Sequence, residues 1–388
     1  MFMRRNRYLM YGIALLHGMV FYGPISALYR QAHGLTISQI TVMEGISLAL
    51  CIFLEVPWGM AADRIGYKKT FGICCWIYLV SKIVFWQAQG IGWFLAERIM
   101  LSVVTAGISG VDASILYLSS QEGTSQKVFG IYTGMQMAGL LAASCIFAVF
   151  VGDDYALSGL LTVFSYGAAA LLSCGLVEVK PKAVQREGQK AEKEPVRAGL
   201  RMTLGNKNIL FFLIASALLS ETHQTITVFL NQLQYEKCGL DSSAMGYIYI
   251  AAVLMGTAGR YSPCLTRKAG LKGSLALFCG SAMASCLILG RAEHALPSVF
   301  GILLLRMSNT FFVPFQMELQ NRQISTSDRA TALSAHAMVM DGVAVVTNLA
   351  FGFLAERGLP LAFFFGMGIC FVSLVLFGMW YEGEGRKL

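Results

Sequence analysis

The chain has 388 residues, of which 56% are hydrophobic and only 13% charged, about half the charged fraction of a soluble domain. A bilayer-spanning helix takes about 20 apolar residues, so twelve such helices would leave only short loops. Eight prolines and the lack of polar low-complexity sequence outside one segment exclude a disordered, collagen-like or disulfide-scaffold chain.

The N-terminal stretch MFMRRNRYLMYGIALLHGMVFYG has the outline of a signal peptide. Its apolar run is too long and lacks a small-residue cleavage site, so it reads as an uncleaved first span. Hydropathy places span starts near residues 8, 38, 70, 92, 128 and 156, and again near 208, 243, 273, 297, 330 and 360. The polar segment from Lys180 to Arg201 divides them. The expected fold is an all-α membrane protein with 12 transmembrane helices in two pseudo-symmetric six-helix bundles. The bundles occupy residues 1–178 and 208–388, joined by a cytoplasmic linker over 179–207.

The net charge of +8 follows this topology. With the N-terminus inside, the outer segments hold only Arg30, Lys237, Arg291 and Arg357, while Lys82, Arg98, Arg260 and Arg306 fall within spans. The remainder of the 30 basic residues lies on the inner side. This is the positive-inside bias; it puts both termini in the cytoplasm and removes nucleic acid as the reason for basicity. The ten cysteines sit mostly in apolar runs, where cysteine behaves as a small hydrophobe. Adjacent Cys74 and Cys75 lack metal-ligand spacing, and no metal, cofactor or disulfide is expected.

Polar residues inside spans are costly and therefore informative. Span 1 carries His17 and a tyrosine face of Tyr11, Tyr22 and Tyr29, suited to a planar substrate or to a membrane-interface belt. Glu44 in span 2 and Lys82 in span 3 lie nearer the outer surface, able to pair with each other or reach water. Span 4 carries Arg98, Ser102, Thr105, Ser109 and Asp112 at helical spacing on one face. Span 7 is the most polar, with Ser216, Ser220, His223, Thr227 and Asn231 in one stripe and Glu221, Gln224 and Thr225 beside it. Span 10 carries Arg306, Asn309, Gln316 and Gln320, and span 11 carries Ser334, Asp341 and Asn348. Glu221, Asp341 and Asp112 are the candidate proton-coupling acids. Histidine titrates near neutral pH, which makes His223 and His17 further candidates. Arg306 and Arg98 offer planar recognition of a carboxylate or phosphate. With Asn309, Gln316, His223, Gln224, Tyr22 and His17 they form the candidate substrate set.

The halves also echo one another. Gly34-Leu35 matches Gly239-Leu240, Gly66 and Lys68 match Gly270 and Lys272, and Arg98-Ile99-Met100 finds a counterpart in Arg306-Met307-Ser308. A six-plus-six repeat is a transporter signature.

The segment EVPWGMAADRIGYKK, Glu55 to Lys69, resembles the signature loop of the major facilitator superfamily, G-x-x-x-D-R-x-G-R-K. The matching residues are Gly59, Asp63, Arg64, Gly66, Lys68 and Lys69, with Tyr67 in place of the usual arginine. By this resemblance the loop is a gating latch on the cytoplasmic side. Glu-Val-Pro, SGVDASILY (Ser109–Tyr117) and DRATALS (Asp328–Ser334) resemble a bacterial group of that superfamily, many of whose members are exporters. The resemblance implies that spans 1, 4, 7 and 10 line a central cavity. It further implies that Arg98 belongs to a second pattern linked to proton coupling, with Ser102 where glycine is usual. The second-half loop PCLTRKAGLKG lacks the aspartate, and GIYTGMQMAGLL in span 5 lacks the Gly-Pro pair of proton-driven drug antiporters.

No phosphate-binding G-x-x-x-x-G-K-[ST] motif occurs, and no nucleophile or metal-spaced set supports an enzyme. The expected function is proton-coupled export of a small organic molecule across a bacterial plasma membrane by a monomer using protons or another coupling ion. The alternatives are uptake of an anionic nutrient or metabolite and, from another class, a non-transporting receptor or sensor.

Overall fold

A computed structural model describes residues 2–108, 110–120, 125–179, 205–323 and 329–383. Among these residues the structure is helical throughout, with no strand. The first half contains α1 (Phe2–Gly18), α2 (Ser26–Ala32), α3 (Ile37–Ile65), α4 (Tyr67–Gln87), α5 (Gly90–Ile108), α6 (Val111–Leu118), α7 (Ser125–Ile146) and α8 (Tyr155–Cys174). The second contains α9 (Lys207–Gln224), α10 (Asn231–Lys237), α11 (Ser242–Gly256), α12 (Ser262–Arg291), α13 (Ala295–Arg322), α14 (Arg329–Arg357) and α15 (Leu359–Gly383).

Every expected span start falls inside one of these helices. Among the described residues, ten helical stretches are long and apolar enough to cross a membrane. The apolar part of α3 is short, Ile37–Cys51, and Ser242–Arg291 runs as one stretch of 50 residues. That stretch contains a break at Gly270, whose φ of 69° is not helical.

Glycine punctuates the chain where the backbone must turn left-handed. The sequence-matched pairs share that conformation: Gly34 and Gly239 have φ of 91° and 76°, and Gly66 and Gly270 have 100° and 69°. A repeat seen as scattered sequence matches is therefore also a repeat of backbone geometry. Gly110, at φ 79°, separates α5 from α6. The first span is broken too: α1 ends at Gly18, and a 3₁₀ turn through Gly23-Pro24-Ile25 leads into α2.

The chain divides into two compact units, one of Met1–Leu35, Ile46–Gln185 and Asp241–Ile250, the other of Thr36–Gly45, Arg186–Leu240 and Ala251–Leu388. In the first, α1 packs on α7 and α8, and α4 packs on α5 and α8. In the second, α9 packs on α14 and α15, and α12 packs on α13 and α15. Large side chains such as Phe150 and Phe164 point outward, as suits a surface solvated by lipid.

Without a hydrophobic drive between helices in lipid, close packing of small residues holds bundles together. Helices α1 and α7 meet through two glycines. A Cβ at Gly139 would fall on the Leu15 carbonyl, and one at Gly18 on the Gln136 carbonyl, whereas Gly134 faces open space. Gly139→Ala is expected to destabilise the first unit by about 1–3 kcal/mol through overpacking. Thermal unfolding of the detergent-solubilised protein checks this: Gly139→Ala lowers the midpoint and Gly134→Ala does not.

Candidate functional site

In the second unit, the polar stripe that starts on α9 runs on through a π-helical segment, Thr225–Leu230. Such π turns relax the helical ladder and recur at functional sites. Glu221 lies one turn before it, 5% exposed, and accepts a hydrogen bond from Thr225 Oγ1 at 2.7 Å. Glu44 of α3 and Asp341 of α14 are the carboxylates that act on it through space. The structure thus gathers Glu221 and Asp341, and it adds Glu44, expected near Lys82 or in water.

Arg306 of α13 has its Nε buried with no hydrogen-bond partner among the described residues. Gln316, a buried residue on the same helix, accepts from Ser220 Oγ of α9 at 3.4 Å and reaches Met340 Sδ of α14 at 3.5 Å. Asn309 is half-buried and Gln224 exposed. His223 is fully buried. Its Nε2 lies 3.2 Å from Ser308 Oγ, which in turn accepts from Ser281 Oγ at 2.9 Å. That serine relay is internal to the unit. Asn348 is buried with neither amide atom hydrogen-bonded among the described residues.

In the first unit the span 4 stripe does not run as one face. Gly110 breaks the helix between Thr105 and Asp112. Ser102 faces α3, where its hydroxyl lies 2.7 Å from Ser47 Oγ, so it belongs to a helix–helix seam. Ser109 lies outside the described residues. Asp112 sits in the first turn of α6, with Oδ1 accepting the Ala113 N–H at 2.6 Å and Oδ2 the Tyr132 hydroxyl at 3.4 Å. A carboxylate there complements the helix dipole.

Two charged residues are placed otherwise than the sequence suggested. Arg30, read as part of an outer segment, is buried in α2, because the helix resumes after the 3₁₀ turn. Its guanidinium lies 3.8 Å from Glu97 Oε2, and Lys82 Nζ lies 3.9 Å from Glu97 Oε1. Lys82, with 4% exposure, therefore pairs with Glu97 of α5 rather than with Glu44 or water. Tyr22 accepts from Lys82 Nζ at 2.8 Å and stacks on Phe85 at 4.1 Å; Arg98 is half-buried beside Glu97. His17 packs between Tyr78 and Tyr166, each 5.1 Å away. Tyr22, His17 and Arg98 thus gather within the first unit around Lys82 and Glu97, an acid that sequence inspection did not single out. The signal available was a charged residue in each of three separate spans.

At the segment between α3 and α4, Arg64 is exposed, and the side chains of Gly59 and Asp63 lie outside the described residues. Glu178, at the end of the sixth span, accepts the Lys68 N–H at 3.2 Å. It lies so close to Gly66 that a Cβ there would meet its Oε2 at 2.8 Å. The free N–H groups that open α4 are thus met by a carboxylate.

Residues 8–346 match the family model of the Major Facilitator Superfamily. An uncharacterised transporter of Bacillus subtilis, YwbF, is 22% identical over 328 residues, 82% of this chain and 78% of that protein. Among solved structures, a variant of the nucleoside transporter NupG superposes with a TM-score of 0.82 at 15% identity, covering 98% of this chain and all of the other. A bacterial homologue of the human lysosomal transporter Spinster gives 0.72 at 13% identity, covering 97% and 95%. Both likenesses concern the fold.

Loss of the Glu178 cap is expected to cost about 0.5–2 kcal/mol, the range for a helix N-cap. Glu178→Ala lowers the thermal midpoint of the purified protein, and Glu178→Gln, which keeps one acceptor oxygen, lowers it less.

Proposed function

This chain belongs to the Major Facilitator Superfamily and is a secondary transporter; from that premise we propose that it couples proton movement to export of a small organic molecule bearing a polar or anionic group. The observation that carries the reading is the arrangement in the second unit. Glu221 is buried with a hydroxyl donor at 2.7 Å, two further carboxylates act on it, and Arg306 keeps a buried N–H with no acceptor among the described residues. A bare charge in the membrane interior is costly, so an acid placed there suits the binding and release of a proton. A guanidinium with an unmet donor suits a substrate oxygen. In this reading Glu221 and Asp341 carry the proton, with Asp112 as a third candidate. Arg306 holds the substrate with Gln316 and Asn309, and Arg98, Tyr22, His17, His223 and Gln224 complete the candidate substrate set.

Protonation changes which conformation is favoured, and the transporter cycles by alternating access as a monomer in a bacterial plasma membrane with both termini cytoplasmic. The segment Gly59, Asp63, Arg64, Gly66 and Lys68 serves as the cytoplasmic latch. Uptake of an anionic metabolite is the second reading, favoured by the unmet Arg306 donor.

Untargeted metabolite profiling inside and outside cells, at equal expression of wild type and Arg306→Ala, tests both. Export depletes a compound inside and enriches it in the medium with wild type only, by about tenfold or more if a charge-assisted contact of about 1.5–3 kcal/mol is lost. The opposite shift establishes uptake. Identical profiles for the two proteins, with a compound moved by both, overturn the role of Arg306.

A further inference from the structure

The first unit carries a buried ionic cluster that the packing of the fold does not require. Glu97 is fully buried, and neither carboxylate oxygen has a hydrogen-bond partner among the described residues. Its ion pairs to Arg30 and Lys82 are long, at 3.8 and 3.9 Å. The two cations have other partners. Lys82 Nζ donates to Tyr22 Oη at 2.8 Å and lies 5.1–5.5 Å from the ring centres of Tyr22, Tyr78 and Tyr166. Arg30 Nη1 donates to the Ser26 carbonyl at 3.5 Å, and its guanidinium lies 5.3 Å from the Phe85 ring centre. An ammonium over aromatic faces is stabilised by the ring quadrupoles. Neutralising Glu97 therefore leaves both cations held by other partners, whereas the carboxylate oxygens have, among the described residues, two ion pairs and no hydrogen bond.

The internal repeat supplies a control. Counting from Gly34 and Gly239, Arg30 falls opposite Tyr235. Counting from Lys68 and Lys272, Lys82 falls opposite Cys286, and from Arg98 and Arg306, Glu97 falls opposite Leu305. All three counterparts are buried. The same three slots in the second half are thus filled without charge. Replacing a buried ion pair by well-packed apolar groups is often neutral or stabilising, so packing alone gives no reason for the charges in the first half.

We propose that Glu97 is a further proton-binding residue of the transport cycle, with Lys82 and Arg30 as its positioning partners. One proton adds to a carboxylate oxygen, giving the neutral acid, and leaves again from the same oxygen later in the cycle. While Glu97 is neutral, Lys82 rests on Tyr22 and its ring cage, and Arg30 on Ser26 and Phe85. The groups facing Glu97 are Arg30 from α2, Lys82 from α4, Arg98 beside it on α5, and Tyr22 and Tyr166; Tyr78 and His17 border the same cluster through Lys82 and the ring contacts. This inference rests on the proton-coupled reading above but uses a site in the other unit.

Infrared difference spectroscopy of the full-length protein in liposomes, titrated with protons alone, tests it without a substrate. The expected result is a carboxylic-acid carbonyl band that appears on acidification, vanishes in Glu97→Gln, changes frequency in Glu97→Asp and persists in Glu221→Gln. Should Glu97→Gln not fold, Glu97→Asp, which keeps the carboxyl, decides the matter. Lys82→Met, by removing a charge near the acid, displaces the pH midpoint of the band. Coincident wild-type and Glu97→Asp spectra at every pH overturn the proposal. A band lost in Glu97→Gln, with no difference between wild type and Glu221→Gln, sustains it and overturns the assignment of Glu221 instead.

Discussion

A polar group inside a lipid-embedded bundle must find its partner within the protein, because hydrocarbon offers none. Many of the serine and threonine hydroxyls described obey this locally by donating to a carbonyl one turn back, as Thr222 does to Leu218 and Ser285 to Ser281. Others tie helices together: Ser373 donates to the Ala215 carbonyl at 2.6 Å, and Tyr166 to the His17 carbonyl at 2.8 Å. Against this background a buried atom with no hydrogen bond among the described residues, such as Arg306 Nε or either ion-paired oxygen of Glu97, marks a place where something besides packing was selected.

The two halves share a helix-packing scheme and left-handed glycines at matched positions, yet their polar interiors differ. The second unit concentrates carboxylates and amides around the π turn of α9. The first concentrates cations and tyrosines around Glu97. One scaffold used twice thus carries two chemistries, and the uncharged counterparts Tyr235, Cys286 and Leu305 show that the scaffold itself demands no charge at those positions.

Helix starts were legible in the sequence because hydropathy is a local quantity. The repeat was legible because positive φ selects glycine wherever it recurs. The acid pair of Glu221 and Asp341 was legible as charge inside apolar runs. What escaped depends on breaks within spans. Helical counting across Gly110 joined Ser102 to Asp112, although one faces Ser47 and the other opens α6. The turn through Gly23 and Pro24 carried Arg30 from a presumed loop into the bundle. Its pairing with Lys82 and Glu97 joins three spans, and no spacing rule connects residues whose separation is set by tertiary packing.

The claim on which the functional account turns is that protons drive this transporter through its buried acids. Once profiling supplies a compound, its accumulation in everted membrane vesicles with an acid interior tests that claim most directly. The expected result is accumulation by wild type that collapses when a protonophore dissipates the gradient, and none by the doubly neutralised Glu221→Gln, Asp341→Asn protein. Accumulation that survives both the protonophore and the double substitution would contradict it.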